Sequence, residues 1–143
     1  MMLTLVFIVK KLEKHLEIRR YVQSKYNEKL GDIIQIPVWS HTCQNYSARV
    51  PAEHRDKLID YLADKKINTS VHYKALHLHK VVSHMNQREY PVADVEWKKL
   101  ISLPCHPGMS DEDIDYIIYW VLEYFTEKLS EEVIEVDPWW KFW

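Results

Sequence analysis

The sequence predicts one α/β domain of the α+β kind, a small, mostly antiparallel sheet with helices packed on it. The chain has 143 residues, enough for a single core, and 47% of them are hydrophobic and 13% aromatic. Segments with apolar residues at helical spacing open and close the chain, and short β-rich runs lie between them. The predicted order of elements is α-β-β-α-β-α-β-α.

The first half of the chain is predicted as a long helix, two strands and a second helix. Apolar residues recur at helical spacing over 5–16 (Leu12 among them), and Gly31 stands where a helix C-cap belongs. The β-rich runs "IIQIPVW" and "NYSARV" follow, and Pro37 favours an edge position for the first. Pro51 at a first helical position then opens "PAEHRDKLIDYLADKK". One face of the second strand is predicted to carry Tyr46, Ala48 and Val50.

The second half is predicted as strand, helix, strand and a long final helix. "INTSVHY" alternates as a strand would, "VADVEWKKL" has a helical pattern, and "LISLP" is a short buried strand. Ser110 and Asp113 form a start like a capping box for the last helix. Its apolar stripe comprises Ile114, Ile117, Ile118, Val121, Leu122, Phe125 and Leu129.

The charge balance and the cysteines exclude several function classes. Nineteen basic and 21 acidic side chains give a net charge of -2, which favours neither nucleic acid nor anionic lipid as a partner. The apolar start "MMLTLVFIV" is too short to span a bilayer and runs into a charged helix, so no membrane anchor is expected. Two cysteines, Cys43 and Cys105, without close spacing favour a reducing, cytoplasmic location.

Four histidines in a short segment raise the question of a metal site. They are His72, His77, His79 and His84 in "TSVHYKALHLHKVVSH". Zinc needs three or four such ligands, but this spacing is not one of the recognised zinc patterns and no cysteine pair lies nearby. Hydrogen-bonded or surface histidines are the alternative. The sequence assigns no metal ligand.

No nucleophilic triad is indicated either. Ser40 precedes His41 and Cys105 precedes His106, but sequence neighbours point apart, whereas triads are assembled across a fold. The acids at 111–113 fit the first turn of a helix, where the macrodipole favours negative charge. No residue is predicted to be catalytic.

The order of several motifs resembles one known family. "RDKLIDYLADKKINTSVHY", then "LHLH", then "YPVADVEWKKLISLPCHPGMSDEDIDYII" are similar to the C-terminal small domain of the DegT/DnrJ/EryC1/StrS family of pyridoxal-phosphate-dependent sugar aminotransferases. "RRYVQSKYNEKLG" resembles the helix just upstream. The resemblance covers about residues 11–129, and the joint order is more specific than any single motif.

The resemblance implies the C-terminal domain of a fold-type-I aminotransferase. Residues 1–31 would be its connecting helix, 32–129 its small domain and 130–143 an acidic, then aromatic tail. The complete enzyme would use pyridoxal phosphate to transfer an amino group, typically from glutamate, to a keto-sugar nucleotide. The substrate-facing surface would carry His72, Tyr73 and His77, whereas His79 and His84 match less closely.

Two departures from the family pattern limit what is expected of this chain. Ala75 stands where the family usually has proline. The family's catalytic lysine, the acidic partner of the pyridine nitrogen and the phosphate-binding residues belong to a large domain that no part of this chain resembles. The chain is therefore expected neither to transaminate nor to bind the cofactor alone. A large-domain polypeptide or a homo-oligomer is the expected partner.

Three hypotheses about function stay open. The first is a fragment of a sugar aminotransferase, as a split gene, a truncated remnant or one half of a two-chain enzyme. The second is a stand-alone interaction module with the same fold, which would bind a partner through the tail "WWKFW" and an exposed face. The third is a histidine-rich metal-binding protein. The tail could equally fold back on its own domain.

Overall fold

The computed structural model describes residues 2–37, 44–83 and 89–129. In chain order its elements are α1 Met2–Leu30, β1 Tyr46–Arg49, α2 Ala52–Asp64, α3 Lys80–Ser83, α4 Pro91–Glu96, β2 Leu100–Leu103 and α5 Asp111–Leu129. Two 3-10 turns, Leu76–Leu78 and Trp97–Lys99, precede α3 and follow α4. Outside the described residues lie Ser40, His41, Cys43, His84 and the segment 130–143. No helix in the described ranges is long and apolar enough to cross a membrane.

Helix α1 packs on the rest of the domain through its second half. Val22, Tyr26 and Leu30 recur every fourth residue and are fully buried. The Tyr26 hydroxyl donates to the carbonyl oxygen of Pro104 at 2.9 Å, which ties the helix to the chain after β2. The predicted helix is confirmed, but Leu12 of its predicted apolar stripe is 50% exposed.

Gly31 closes α1, as its position in the sequence predicts. Its N–H donates to the carbonyl oxygen of Asn27 at 3.2 Å. A Cβ atom at this position would stand 2.6 Å from the same oxygen, so a side chain would force the backbone apart. The close approach explains the glycine.

The sheet pairs β1 and β2 in antiparallel register. Tyr46 lies opposite Leu103, and Arg49 lies opposite Leu100. Because side chains alternate along a strand, one face of the pair is apolar and the other largely polar. The apolar face is buried in the core and carries Tyr46, Ala48 and Val50, as predicted for the run "NYSARV".

The predicted order of eight elements is not confirmed, because two predicted strands each contribute a single bridge. Gln35 of "IIQIPVW" exchanges both backbone hydrogen bonds with Arg49, but Pro37, two residues later, has no N–H to extend the pairing. Ser70 of "INTSVHY" pairs with Ser102, and the chain then turns at residues 72–73. The described sheet is therefore smaller than predicted.

The final helix starts and packs as the sequence predicts. The Asp113 N–H donates to Ser110 Oγ at 3.2 Å, and the Ser110 N–H donates to Asp113 Oδ2 at 2.9 Å, which is a reciprocal capping box. These bonds from Ser110 lower the pKa of the Asp113 carboxyl. Residues of the predicted stripe that are buried in the core are Ile114, Ile117, Ile118, Val121 and Phe125.

Helix α2 lies against α5 and brings a histidine into the core. Leu58 and Leu62 are buried one turn apart on its inner face. His54 is 4% exposed, and its Nδ1 lies 3.2 Å from the hydroxyl of Tyr124 on α5. This hydrogen bond satisfies a buried imidazole nitrogen, so His54 has a structural role.

Candidate functional site

A row of polar side chains crosses the face of the sheet that lies opposite the core. Ser47 and Ser102 stand opposite each other on β1 and β2, and their hydroxyl oxygens are 2.9 Å apart. Ser102 is 4% exposed, so its hydroxyl needs partners within the protein. Hydroxyl pairs directly across an antiparallel sheet stabilise the strands and fix both side chains.

His72 lies on top of this row and is held through one ring nitrogen. Its Nδ1 is 2.9 Å from Ser102 Oγ and 3.3 Å from Ser70 Oγ. Ser70 is itself fixed, because it exchanges both backbone hydrogen bonds with Ser102. The other ring nitrogen, Nε2, has no hydrogen-bond partner within the described ranges. An imidazole held by Nδ1 in this way presents Nε2 to a ligand in a fixed orientation.

Tyr73 extends outward from the same turn. Its side chain is 72% exposed, and its ring meets the edge of the His72 ring at a centroid distance of 4.7 Å. The peptide bond between His72 and Tyr73 is cis. The two predicted site residues therefore lie together, one anchored on the sheet and one reaching into solvent.

His77, the third predicted site residue, belongs to a separate set of contacts. Its Nε2 lies 2.7 Å from Asp94 Oδ1, and its ring stacks on Tyr90 with centroids 4.9 Å apart. Both partners belong to the start of α4, where the Asp94 N–H donates to the carbonyl oxygen of Tyr90. His77 thus fixes the 3-10 turn Leu76–Leu78 against α4.

The remaining histidines of the segment do not join these contacts in the described structure. His79 is exposed, and its Nε2 lies 3.3 Å from the carbonyl oxygen of Lys74. His84 lies outside the described residues. Within 2–37, 44–83 and 89–129, no three His, Cys, Asp or Glu side chains are close enough to hold a metal ion.

The sequence analysis missed the ion pairs and the serine pair that lie next to the predicted site residues. Glu96, at the end of α4, forms ion pairs with Arg49 of β1 and with Lys99, the latter at 3.2 Å. Burial lowers the pKa of the Arg49 guanidinium, but an arginine beside a carboxylate stays protonated at neutral pH. Ser47 and Ser102 were also missed, although polar residues alternating with apolar ones inside a predicted strand indicate a second, polar face.

Two cationic side chains lie against the ring of Trp97, next to the predicted site residues. The Arg55 guanidinium carbon lies 5.1 Å from the centre of the Trp97 ring, and Lys74 Nζ lies 5.7 Å from it. Contacts of this length are cation–π interactions. They join α2, the 3-10 turn Trp97–Lys99 and the segment after Tyr73 into one frame around the site.

The described lysines do not form a pyridoxal phosphate site. Binding of that cofactor through a lysine needs an amine whose pKa is lowered, commonly in a desolvated pocket. Every described lysine is exposed or half-buried, and most lie on helix surfaces. The pKa of the half-buried Lys25 is raised rather than lowered, chiefly by the neighbouring Tyr21 hydroxyl. The described residues thus do not fit the cofactor.

Known proteins resemble this chain both in sequence and in fold. Residues 5–122 match the sequence model of the DegT/DnrJ/EryC1/StrS aminotransferase family. GDP-perosamine synthase of Escherichia coli O157:H7 is 28% identical over 115 residues, which are 77% of this chain and 31% of that protein.

Solved structures of aminotransferases share the fold. A DegT DnrJ EryC1 StrS aminotransferase from Brucella abortus superposes with a TM-score of 0.73 at 28% identity, over 83% of this chain and 33% of that one. A Streptococcus pneumoniae protein described as a sugar aminotransferase, in its PMP form, gives a TM-score of 0.72 at 26% identity, over 89% and 35% of the two chains.

The matches cover most of this chain but only part of each relative. The chain spans about a third of the length of the relatives that it matches, whereas the matches cover most of the chain. The similarity to a small domain suggested by the motif order is confirmed at the level of the family. The chain belongs to the DegT/DnrJ/EryC1/StrS aminotransferase family, whose members depend on pyridoxal phosphate.

Proposed function

We propose that this chain is the C-terminal part of a pyridoxal-phosphate-dependent aminotransferase that acts on keto-sugar nucleotides, and that it is not catalytic alone. One observation carries the proposal: most of the chain matches a family of sugar aminotransferases while spanning about a third of its relatives. Residues 1–31 would be the connecting helix, 32–129 the small domain and 130–143 a tail.

The surroundings of the described lysines support the second half of the proposal. Bound to the complete enzyme, the cofactor supplies the electron sink for amino transfer. The described lysines lie at the surface or are half-buried, without the enclosed pocket that such a site needs. The cofactor would therefore be held by residues of a large domain supplied by another polypeptide.

The substrate-facing surface of this part would be built by His72, Tyr73 and His77. His72 offers Nε2 in an orientation fixed through Nδ1, and an imidazole N–H donates well to phosphate or hydroxyl oxygens. Tyr73 adds an exposed ring and a hydroxyl beside it. His77 would fix the loop that lines the substrate, because its Nε2 is bound to Asp94. These groups bind and orient a substrate and perform no bond-making step.

An exposed apolar surface is a further argument for a partner chain. Four aliphatic side chains on the 3-10 turn, α3 and α4 are between 50% and 81% exposed, namely Leu76, Val81, Val92 and Val95. His77 links the first of these elements to α4 through Asp94. Clustered exposed apolar groups mark protein contact sites. We infer that a large-domain polypeptide or a second copy of the chain covers them.

The first test is a search for the missing domain. The DNA upstream of the Met1 codon is sequenced and translated in all frames, and any large-domain polypeptide with a cofactor lysine is co-expressed with this chain. Amino transfer from glutamate to a keto-sugar nucleotide, followed by mass spectrometry, is expected only when both chains are present. Undiminished activity without this chain would contradict the proposal. If the genome encodes no such domain, the chain acts as an interaction module and its resemblance reflects ancestry.

The second test addresses the site residues in the two-chain enzyme. His72→Ala is expected to lower kcat/KM at least about tenfold, since a bond to a charged group contributes about 1.5 to 3 kcal/mol. His79→Ala is the matched control, because His79 is exposed and contacts only a backbone carbonyl oxygen among the described residues. Equal kcat/KM in the two variants would rule out a substrate contact at His72.

A further inference from the structure

An aromatic surface lies between the end of α2 and the first half of α5, away from the histidine segment. It consists of Tyr61, Lys65, Tyr116, Tyr119 and Trp120, and is called the aromatic surface below. The Trp120 ring is its centre, with ring centroids of Tyr119 at 5.0 Å, Tyr61 at 6.0 Å and Tyr116 at 6.1 Å. Three tyrosine rings from two helices therefore meet one tryptophan ring at the surface of the domain.

The aromatic surface combines exposed rings with a positive charge. Tyr116 is 47% exposed and Tyr119 is 53% exposed. Lys65 Nζ lies 3.9 Å from the centre of the Trp120 ring and 5.3 Å from that of Tyr61. The Tyr116 hydroxyl donates to the carbonyl oxygen of Lys65 at 3.2 Å, which fixes the two helices relative to each other. A rigid aromatic patch with a cation is suited to an aromatic, acidic ligand.

One buried polar atom at the aromatic surface also favours an occupant that carries a hydrogen-bond acceptor. The indole nitrogen of Trp120 is buried and has no acceptor within the described ranges. A buried indole N–H normally finds a hydrogen-bond partner. A segment lying along the aromatic surface could supply a carbonyl or carboxylate oxygen to it.

We propose that the aromatic surface binds the segment 130–143 of the same chain. This segment, "SEEVIEVDPWWKFW", follows α5 directly and contains three tryptophans and a phenylalanine in its last five residues. Trp120 lies nine residues before Leu129, which is about 14 Å along a helix. Residues 130–138 can extend over about 30 Å, so the tryptophans reach the aromatic surface after the chain reverses.

The charges fit this occupant. Acidic residues precede the tryptophans in the segment: Glu131, Glu132, Glu135 and Asp137. Lys65, whose ammonium lies against the Trp120 and Tyr61 rings, is the cation that this acidic stretch would meet at the aromatic surface. Glu123 and Glu127 on α5 lie near Tyr61, whose pKa is raised by burial and by these two acids. The acidic stretch is therefore expected to approach the aromatic surface from the side of Lys65 rather than from that of Glu123 and Glu127.

Hydroxyl-radical labelling of the full chain, read by mass spectrometry, tests the proposal. In the wild type the tryptophans at 139, 140 and 143 should be labelled more slowly than in a synthetic peptide of residues 130–143. Tyr119→Lys should raise their labelling rate at least about threefold by releasing the segment. Leu12→Lys is the matched control, because Leu12 is also about half exposed but lies on α1, and it should change nothing.

A reciprocal variant protects the test against a folding defect. Trp139→Ala with Trp140→Ala leaves the described domain untouched and should raise the labelling of Tyr116 and Tyr119. Labelling of the wild-type segment at the rate of the free peptide would overturn the proposal. Protection of the tryptophans that disappears on dilution would also overturn it, because a second copy of the chain would then be the occupant. Protection that is the same in Tyr119→Lys as in Leu12→Lys would overturn it as well.

Discussion

Removing the hydroxyl of Ser102 should loosen the histidine site without disturbing the core. Ser102 Oγ is the shared partner of Ser47 Oγ and His72 Nδ1, both at 2.9 Å, and Ser102 is 4% exposed. In Ser102→Ala, His72 retains only the longer contact with Ser70 Oγ at 3.3 Å. Loss of one partner of buried polar groups costs about 1 to 3 kcal/mol. We expect the free energy of unfolding to fall by about 2 kcal/mol.

Urea unfolding of the full chain, followed by circular dichroism, measures this change. A loss of about 2 kcal/mol lowers the urea midpoint by roughly 1 M, for a denaturant slope of about 2 kcal/mol/M. A double-mutant cycle with His72→Ala isolates the contact, and a coupling energy of about 0.5 to 1.5 kcal/mol is expected. A coupling energy near zero would refute the reasoning, because it would mean that the Ser102 hydroxyl does not hold the imidazole.

Four further predictions concern the helices and the core. Ser110→Ala should lower the free energy of unfolding by about 1 kcal/mol, as loss of an N-cap does. Because the folded state lowers the Asp113 pKa, its contribution is complete above the ordinary carboxyl pKa of about 4 and is lost as pH falls through the lowered folded value. The stability difference between wild type and Asp113→Asn at pH 6 should therefore vanish in strong acid, and a difference that persists would contradict the assignment. Leu62→Ala should cost about 2 to 5 kcal/mol in urea unfolding, whereas Leu12→Ala at a half-exposed position should stay within about 0.5 kcal/mol. Tyr26→Phe should cost about 1 kcal/mol by removing the hydrogen bond to Pro104, and an unchanged midpoint would show that this bond does not hold α1.

The long helices could be predicted because their signals are local. Gly31 and the reciprocal pair of Ser110 and Asp113 mark helix ends through contacts within four residues. The stripe of α5 repeats over several turns, so its buried face follows from spacing alone. The exposure of Leu12 could not be predicted, because burial along α1 depends on where the sheet lies, which periodicity does not report.

Strand extent and site geometry depend on partners distant in sequence. Pro37 predicted an edge position, but the sequence does not show that the pairing with β1 is limited to one bridge, between Gln35 and Arg49. The hydrogen bond of His72 to Ser102 joins residues 30 positions apart, and His77 reaches Asp94 over 17 positions. No spacing rule connects such pairs. The motif resemblance selected His72 and Tyr73 without showing what holds them.

The histidine segment carries anchored polar side chains and exposed apolar side chains within one short stretch of chain. His72 is anchored on the sheet by Ser102, Tyr73 projects from it, and within a few residues Leu76 is 72% exposed. His77 couples the same stretch to α4, whose Val92 is 74% exposed. Exposed aliphatic groups beside an anchored imidazole gain more from contact with a partner than from contact with water. We infer that the surface that meets the rest of the enzyme and the surface that meets the substrate adjoin here. Docking of the missing domain would then order the substrate-facing residues at the same time as it covers the apolar ones.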